Sequence, residues 1–200
     1  LEREVSRGML VVFIDQEAEW QGTVEHFEQM VERPEIELWW MQVPFRLENV
    51  TSYEHNWLHC WGPGEEWMRE QHPKAFTKDV FKTRKFYKLF DAVYPVAAGT
   101  ERFCVIYGLR AAESPQRAAT VTMRPMYRDW TYTSRAGKKG IKAAVIYDWG
   151  YRDVWGAIAQ REWVYNRVYD AQFQWGLPIS RVRVSSLTHS LALKQALPML

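Results

Sequence analysis

The 200-residue sequence has only two cysteines, Cys60 and Cys104. Two thiols build no disulfide scaffold, and such sparse usage suits the reducing cytoplasm. No apolar run reaches the roughly 20 residues a helix needs to cross a bilayer. No signal-peptide pattern is present either, so the chain reads as cytoplasmic with no membrane partner. The net charge of +2 is too balanced to attract nucleic acid by itself. Internal repeats and low-complexity segments are missing. Histidines number five. His55 and His59 stand four apart beside Cys60, a helical ligand spacing. Trp57 and the nearby glycines oppose a helix, and no fourth ligand follows, so no zinc is expected.

What the sequence has in excess is tryptophan, eleven of them. An indole is large and carries an N–H that seeks a partner, so it suits cores, pocket walls and interfaces. An aromatic-rich core is the simpler reading. Hydrophobic residues at 47% and charged ones at 25% give the balance of a folded soluble protein. The length fits one domain, residues 1–200. Cys104 lies in an apolar run and is expected to be a buried small hydrophobe.

Met9 to Ile14 is a short, continuous apolar run ending at Asp15, the mark of a strand buried in a parallel sheet. Thr23 to Arg33 places Val24, Phe27, Met30 and Val31 at helical spacing before Pro34. Ile36 to Val43 is a second strand. Strand, helix, strand is the rhythm of a doubly wound α/β sheet. Residues 52–73 are rich in Trp, His and Gly, too long for a connector, and read as an irregular functional excursion or lid. Further elements are a helix over Asp79–Val93, a strand over Thr100–Tyr107, a strand over Ala143–Tyr147 and helices over Arg152–Gln160 and Tyr165–Trp175. Gly176 closes the last of them.

Ligands of open α/β sheets bind beyond the carboxyl ends of the strands. Two polar clusters fall there: Asp15-Gln-Glu17 after the first strand, and Gly108-Leu-Arg110 after the third. Gly108 permits a tight turn or close approach. Arg110 and Arg117 suit bidentate phosphate contacts. Glu113 and Ser114 can orient a ribose or the loop. Arg124 to Lys142 is basic, with Arg124, Arg128, Arg135, Lys138, Lys139 and Lys142 against Asp129. It reads as a solvated loop, the alternative being a flap over phosphates or a nucleic-acid backbone.

Gly108, Arg110, Glu113, Ser114 and Arg117 match a Gly-x-Arg-x-x-Glu-Ser-x-x-Arg segment. Asp148, Trp149, Asp153, Val154 and Trp155 match a second segment, with Val145 where its proline stands. Tyr165, Asn166, Tyr169 and Asp170 match a third. Together these resemble the 3′-phosphoadenosine-5′-phosphosulfate (PAPS) reductase family of the adenine-nucleotide α-hydrolase superfamily. Phe13 to Trp20, Val43-Pro44, Asn49, Trp57, Cys60-Trp61 and Trp67 to Glu70 resemble a branch that includes phage proteins and a co-regulator working beside a ParB-like partner.

The resemblance implies a three-layer α/β sandwich, Rossmann-like, with a mainly parallel sheet. It implies binding of ATP or a related adenine nucleotide with Mg²⁺, and cleavage between the α and β phosphates to adenylylate an acceptor. Nucleotide contacts are carried over to Asp15 (adenosine or metal), Gly108, Arg110, Glu113, Ser114, Arg117, Asp148 and Trp149. Arg69, Arg183 and Ser185 are placed on the acceptor side. Asp153 reads instead as a helix cap. The family's pyrophosphate loop, Ser-Gly-Gly-Lys-Asp-Ser, is expected upstream of Leu1, because Leu1 to Gly8 resembles the tail of the helix after it. No cysteine follows Cys104, so thiol-dependent PAPS reduction and an iron–sulfur cluster are not expected. Two further readings stay open: a non-catalytic regulatory subunit, and sulfur transfer to nucleic acid.

Overall fold

The structure, a computed structural model, describes residues 9–48, 56–100, 102–122, 126–127, 131–136 and 140–184. The class is α/β, and the chain divides into two compact units: Leu1–Ala92 with Asn166–Leu200, and Val93–Tyr165.

In the first unit, β1 (Met9–Ile14) pairs in parallel with β2 (Ile36–Met41), from Met9 opposite Ile36 to Ile14 opposite Met41. The strands therefore end level, and Asp15 and Gln42 emerge side by side. The crossover is α1 (Gln21–Val31). Its Phe27 stacks on Phe13 at 3.6 Å between ring centroids, and both tilt against Trp40 at 6.0–6.2 Å. Gly22 belongs to this packing: a Cβ there would meet Val168 Cγ2 at 3.0 Å.

An antiparallel hairpin follows, β3 (Phe45–Glu48) with β4 (Trp57–Cys60). The excursion read as irregular over 52–73 thus contains a strand, supported by the pairing of Leu47 with Leu58 and Phe45 with Cys60. The next helix, α2 (Phe86–Ala98), begins seven residues later than the expected Asp79 and continues through Pro95. Backbone pairing explains the late start. Arg46 N–H donates to the Arg84 carbonyl at 2.8 Å, Lys82 has φ +48°, and Asp79 pairs with Arg84 at 2.8 Å. Leu89 and Val93 on α2 are fully buried.

In the second unit a four-stranded sheet runs β5 (Cys104–Tyr107), β8 (Gly140–Ala144), β7 (Thr131–Ala136), β6 (Met126–Tyr127). β5 and β8 are parallel, while β7 pairs antiparallel with both β8 and β6. The basic segment expected as a solvated loop therefore supplies β6, β7 and the start of β8. Cys104 is exposed, against expectation. β5 alternates exposed and half-buried positions, and Cys104 shares the exposed face with Ile106. Helices α3 (Pro115–Thr122) and α4 (Tyr151–Arg161) complete this unit. Asp153 sits in the first turn of α4 and accepts the Gly150 N–H at 2.7 Å, which makes it a capping group.

The chain returns to the first unit with α5 (Val168–Gln174), shorter than expected because the Asn166 side chain takes the Val168 N–H at 3.0 Å. Gly176, at φ +88°, closes it. Among the described residues no helix is long and apolar enough to cross a membrane. The β1–β2 core predicts that Met41→Ala, at a fully buried position, costs about 2–5 kcal/mol. Urea unfolding would measure it as a lower midpoint.

Candidate functional site

The level carboxyl ends of β1 and β2 create a polar knot in an otherwise apolar place. Asp15 is fully buried. Its Oδ1 accepts the Glu17 N–H at 2.8 Å. Its Oδ2 accepts Trp40 Nε1 at 2.7 Å, Gln42 Nε2 at 2.9 Å and a guanidinium N–H of Arg69. The Asp15 carbonyl takes Trp61 Nε1 at 2.9 Å. Glu17 continues the knot. Its carboxylate accepts the backbone N–H groups of Trp61 at 2.6 Å and Met68 at 3.0 Å, and its carbonyl accepts Arg69 Nε at 3.2 Å.

Glu17 and Trp61 both hold left-handed backbone, at φ +64° and +54°. Such conformations cost of order 1–3 kcal/mol each and persist only where surrounding contacts enforce them. Here each residue enforces the other. The Arg69 guanidinium also lies over the Trp61 ring, 5.0 Å from its centroid. Gln42 extends the network, its side-chain oxygen accepting His72 N–H at 2.7 Å while the His72 ring stacks on Trp40. Beside the knot an open groove of ≈ 480 Å³ is lined by Gly64, Glu65, Trp67, Arg69 and Glu70. Trp67 is set in it by an indole N–H to the Gly62 carbonyl at 2.8 Å.

The knot leaves little room for a metal. All of Asp15's acceptor capacity faces N–H donors, so a cation would have to displace them, and Mg²⁺ does not fit this carboxylate. Among the described residues no group of three or more His, Cys, Asp or Glu is arranged to hold a metal ion. Cys60 donates its thiol to the Gln16 carbonyl. Burial, then the carboxylates of Glu17, Asp15 and Glu19, push that thiol up to about 12, so it is no thiolate at neutral pH.

The second cluster lies in the second unit, where β5 ends at Tyr107. Gly108 is exposed and leads into a short 3-10 turn, Ala111–Glu113, which is tied down by the Ala111 N–H to the Tyr147 carbonyl at 2.7 Å. Glu113 pairs with two guanidinium groups, Arg110 Nε at 3.1 Å and Arg117. Ser114 takes the Arg117 N–H on its hydroxyl at 3.2 Å and starts α3. Asp148 is exposed, and half-buried Trp149 follows it, in the turn after β8.

Structure thus gathers Gly108, Arg110, Glu113, Ser114 and Arg117 on one turn. Asp15 and Arg69 meet in the other unit. Arg183 is exposed there, its backbone held in both directions by buried Gln172 at 2.6 and 2.8 Å. Ser185 lies outside the described residues. Sequence reasoning missed Trp40, Gln42 and Glu19 as members of the knot. A glutamine inside the apolar run Leu38 to Val43 was the available signal, since a polar side chain there needs a buried partner.

The phosphoadenosine phosphosulfate reductase domain matches residues 1–175. The uncharacterized protein YbdN of Escherichia coli (strain K12) is 26% identical over 205 residues, covering 92% of this chain and 48% of that protein. The chain therefore spans about half the length of that curated relative. No solved structure matches.

The knot sets a stability prediction. Asp15→Asn places an amide NH₂ against existing donors and strands the Arg69 charge, so it costs about 3–5 kcal/mol. Glu37→Gln, at an exposed side chain, stays within about 0.5 kcal/mol. Parallel urea titrations of the two variants would compare them.

Proposed function

The chain belongs to the phosphoadenosine phosphosulfate reductase domain family, and from that premise we propose that it binds an adenine nucleotide with its phosphates at the Gly108–Arg117 turn. The observation that carries this reading is the shared carboxylate of Glu113, which holds Arg110 and Arg117 together at the carboxyl end of a parallel strand. Two guanidinium groups against one carboxylate leave the turn net positive. Arg110 spends its Nε on Glu113, so its remaining N–H donors can receive a phosphate oxygen in fork geometry.

The reaction we propose is adenylylation. A nucleophilic oxygen of the acceptor attacks the α-phosphorus of ATP, the bond from that phosphorus to the α–β bridging oxygen breaks, and pyrophosphate leaves with the electron pair. The acceptor's proton passes to solvent. Arg110 and Arg117 offset the charge that grows on the departing phosphates. Glu113 keeps both cations placed before the nucleotide arrives. Arg69, which faces the open groove of the first unit, is our candidate polar contact for a ligand of that groove. Asp15 is assigned a positioning role through Arg69, since its own oxygens are spent on N–H donors. No step runs through a thiol, because burial holds Cys60 protonated, nor through Mg²⁺.

A regulatory reading on the same fold, as in the co-regulator branch that the front half resembles, draws support from the same knot. Its charged groups are committed to structure, leaving binding as the activity of the turn alone.

Replacing Arg110 by Ala in the full-length protein removes charge-assisted hydrogen bonds of about 1.5–3 kcal/mol, hence about tenfold or more in ATP affinity. Titration calorimetry would show the loss, and unchanged affinity would remove the turn from the site. ATP binding with pyrophosphate release supports adenylylation; binding with no release in any acceptor screen supports the regulatory reading.

A further inference from the structure

Three acidic side chains alternate after β1, and they are unequally supplied with donors. Asp15 accepts four N–H groups. The two oxygens of Glu17 accept the backbone N–H groups of Trp61 and Met68. Glu19 accepts one, the Gln16 N–H, at a long 3.3 Å.

The charged and titratable groups around Glu19 are Asp15 and Glu17 on its own loop, and Arg69 and the Cys60 thiol from the segment packed against that loop. One guanidinium thus faces two carboxyl groups, those of Asp15 and Glu19. It is already committed to Asp15 and to the Glu17 carbonyl. A half-buried carboxylate with a single weak donor is expensive, and it is relieved by taking up a proton.

We propose that Glu19 is a proton-operated latch on the knot: protonated, it leaves Arg69 to Asp15 and keeps the β1–α1 loop locked to residues 60–69; ionised, it draws on the same guanidinium and loosens that lock. The electrostatics agree with the donor count. Burial first, then the Asp15 carboxylate, raise the Glu19 carboxyl to about 7. The Cys60 thiol, pushed up to about 12, stays protonated across this range and does not compete.

The direction with pH follows from linkage. Glu19 binds its proton more tightly in the locked state, at about 7, than in an opened state at its ordinary 4.5. The stabilisation is therefore full below the ordinary value and is lost as pH rises through about 7. With those two values the local opening constant rises about tenfold between pH 6 and pH 8.

The test is amide hydrogen exchange at Trp61 and Met68, whose N–H groups bond to the Glu17 carboxylate, corrected for the intrinsic pH dependence of exchange. The full chain is compared with Glu19→Gln and with Glu19→Ala, the second covering the case in which the amide does not pack. The expected result is a tenfold rise in opening from pH 6 to pH 8 in the parent and a flat profile in both variants. A flat parent profile, or the same rise in the variants, overturns the proposal. So does a carbon-13 titration of the Glu19 carboxyl with its midpoint at the ordinary carboxylate value.

Discussion

The first unit depends on one buried carboxylate. Parallel strands deliver their ends together, so β1 and β2 place Asp15 beside Gln42 in a region screened from water. A bare carboxylate there would cost several kcal/mol, roughly, even after relaxation. Four N–H donors, one of them on a guanidinium, meet that cost, and they come from three separate stretches of chain: the loop itself, β2 with the residue after it, and the segment carrying Arg69. The Trp-rich excursion is consequently part of the core scaffold. Its Trp61 is almost fully buried, and both its indole N–H and its backbone N–H bond to the β1–α1 loop.

The two polar clusters differ in the sign of their charge balance. After β1, Asp15 and Glu17 outnumber Arg69, and Glu65 and Glu70 line the adjoining groove. After β5, Arg110 and Arg117 outnumber Glu113. On Coulomb grounds alone an anion is repelled less by the second.

Much of this was legible in the sequence. The apolar runs at Met9–Ile14 and Ile36–Val43 marked the strands β1 and β2, but the burial on both faces expected of the first is absent at its start, where Met9 and Leu10 are exposed. The Gly108–Arg117 turn was legible because its residue types and spacing are specific together. Periodicity misled over Asp79–Val93, where Val80 and Phe81 suggested a helix but backbone pairing with Arg46 and the left-handed Lys82 kept the chain irregular up to Lys85. Cys104 misled because an apolar neighbourhood in sequence says nothing of which strand face a residue takes. The knot was only half legible. Asp15 and Glu17 stood out as polar residues at a strand end, but their partners lie 25 to 54 positions away, beyond any local pattern.

The mutual commitment of Asp15, Glu17, Trp61 and Arg69 has an evolutionary corollary. Exchanging any one strands a donor or acceptor on another, so single neutral steps at these positions are closed. Drift through this region must pass by coordinated pairs of changes or not at all. Related chains will therefore keep the quartet whole or replace it whole, and a chain carrying part of it marks a lineage in which the β1 end has been rebuilt.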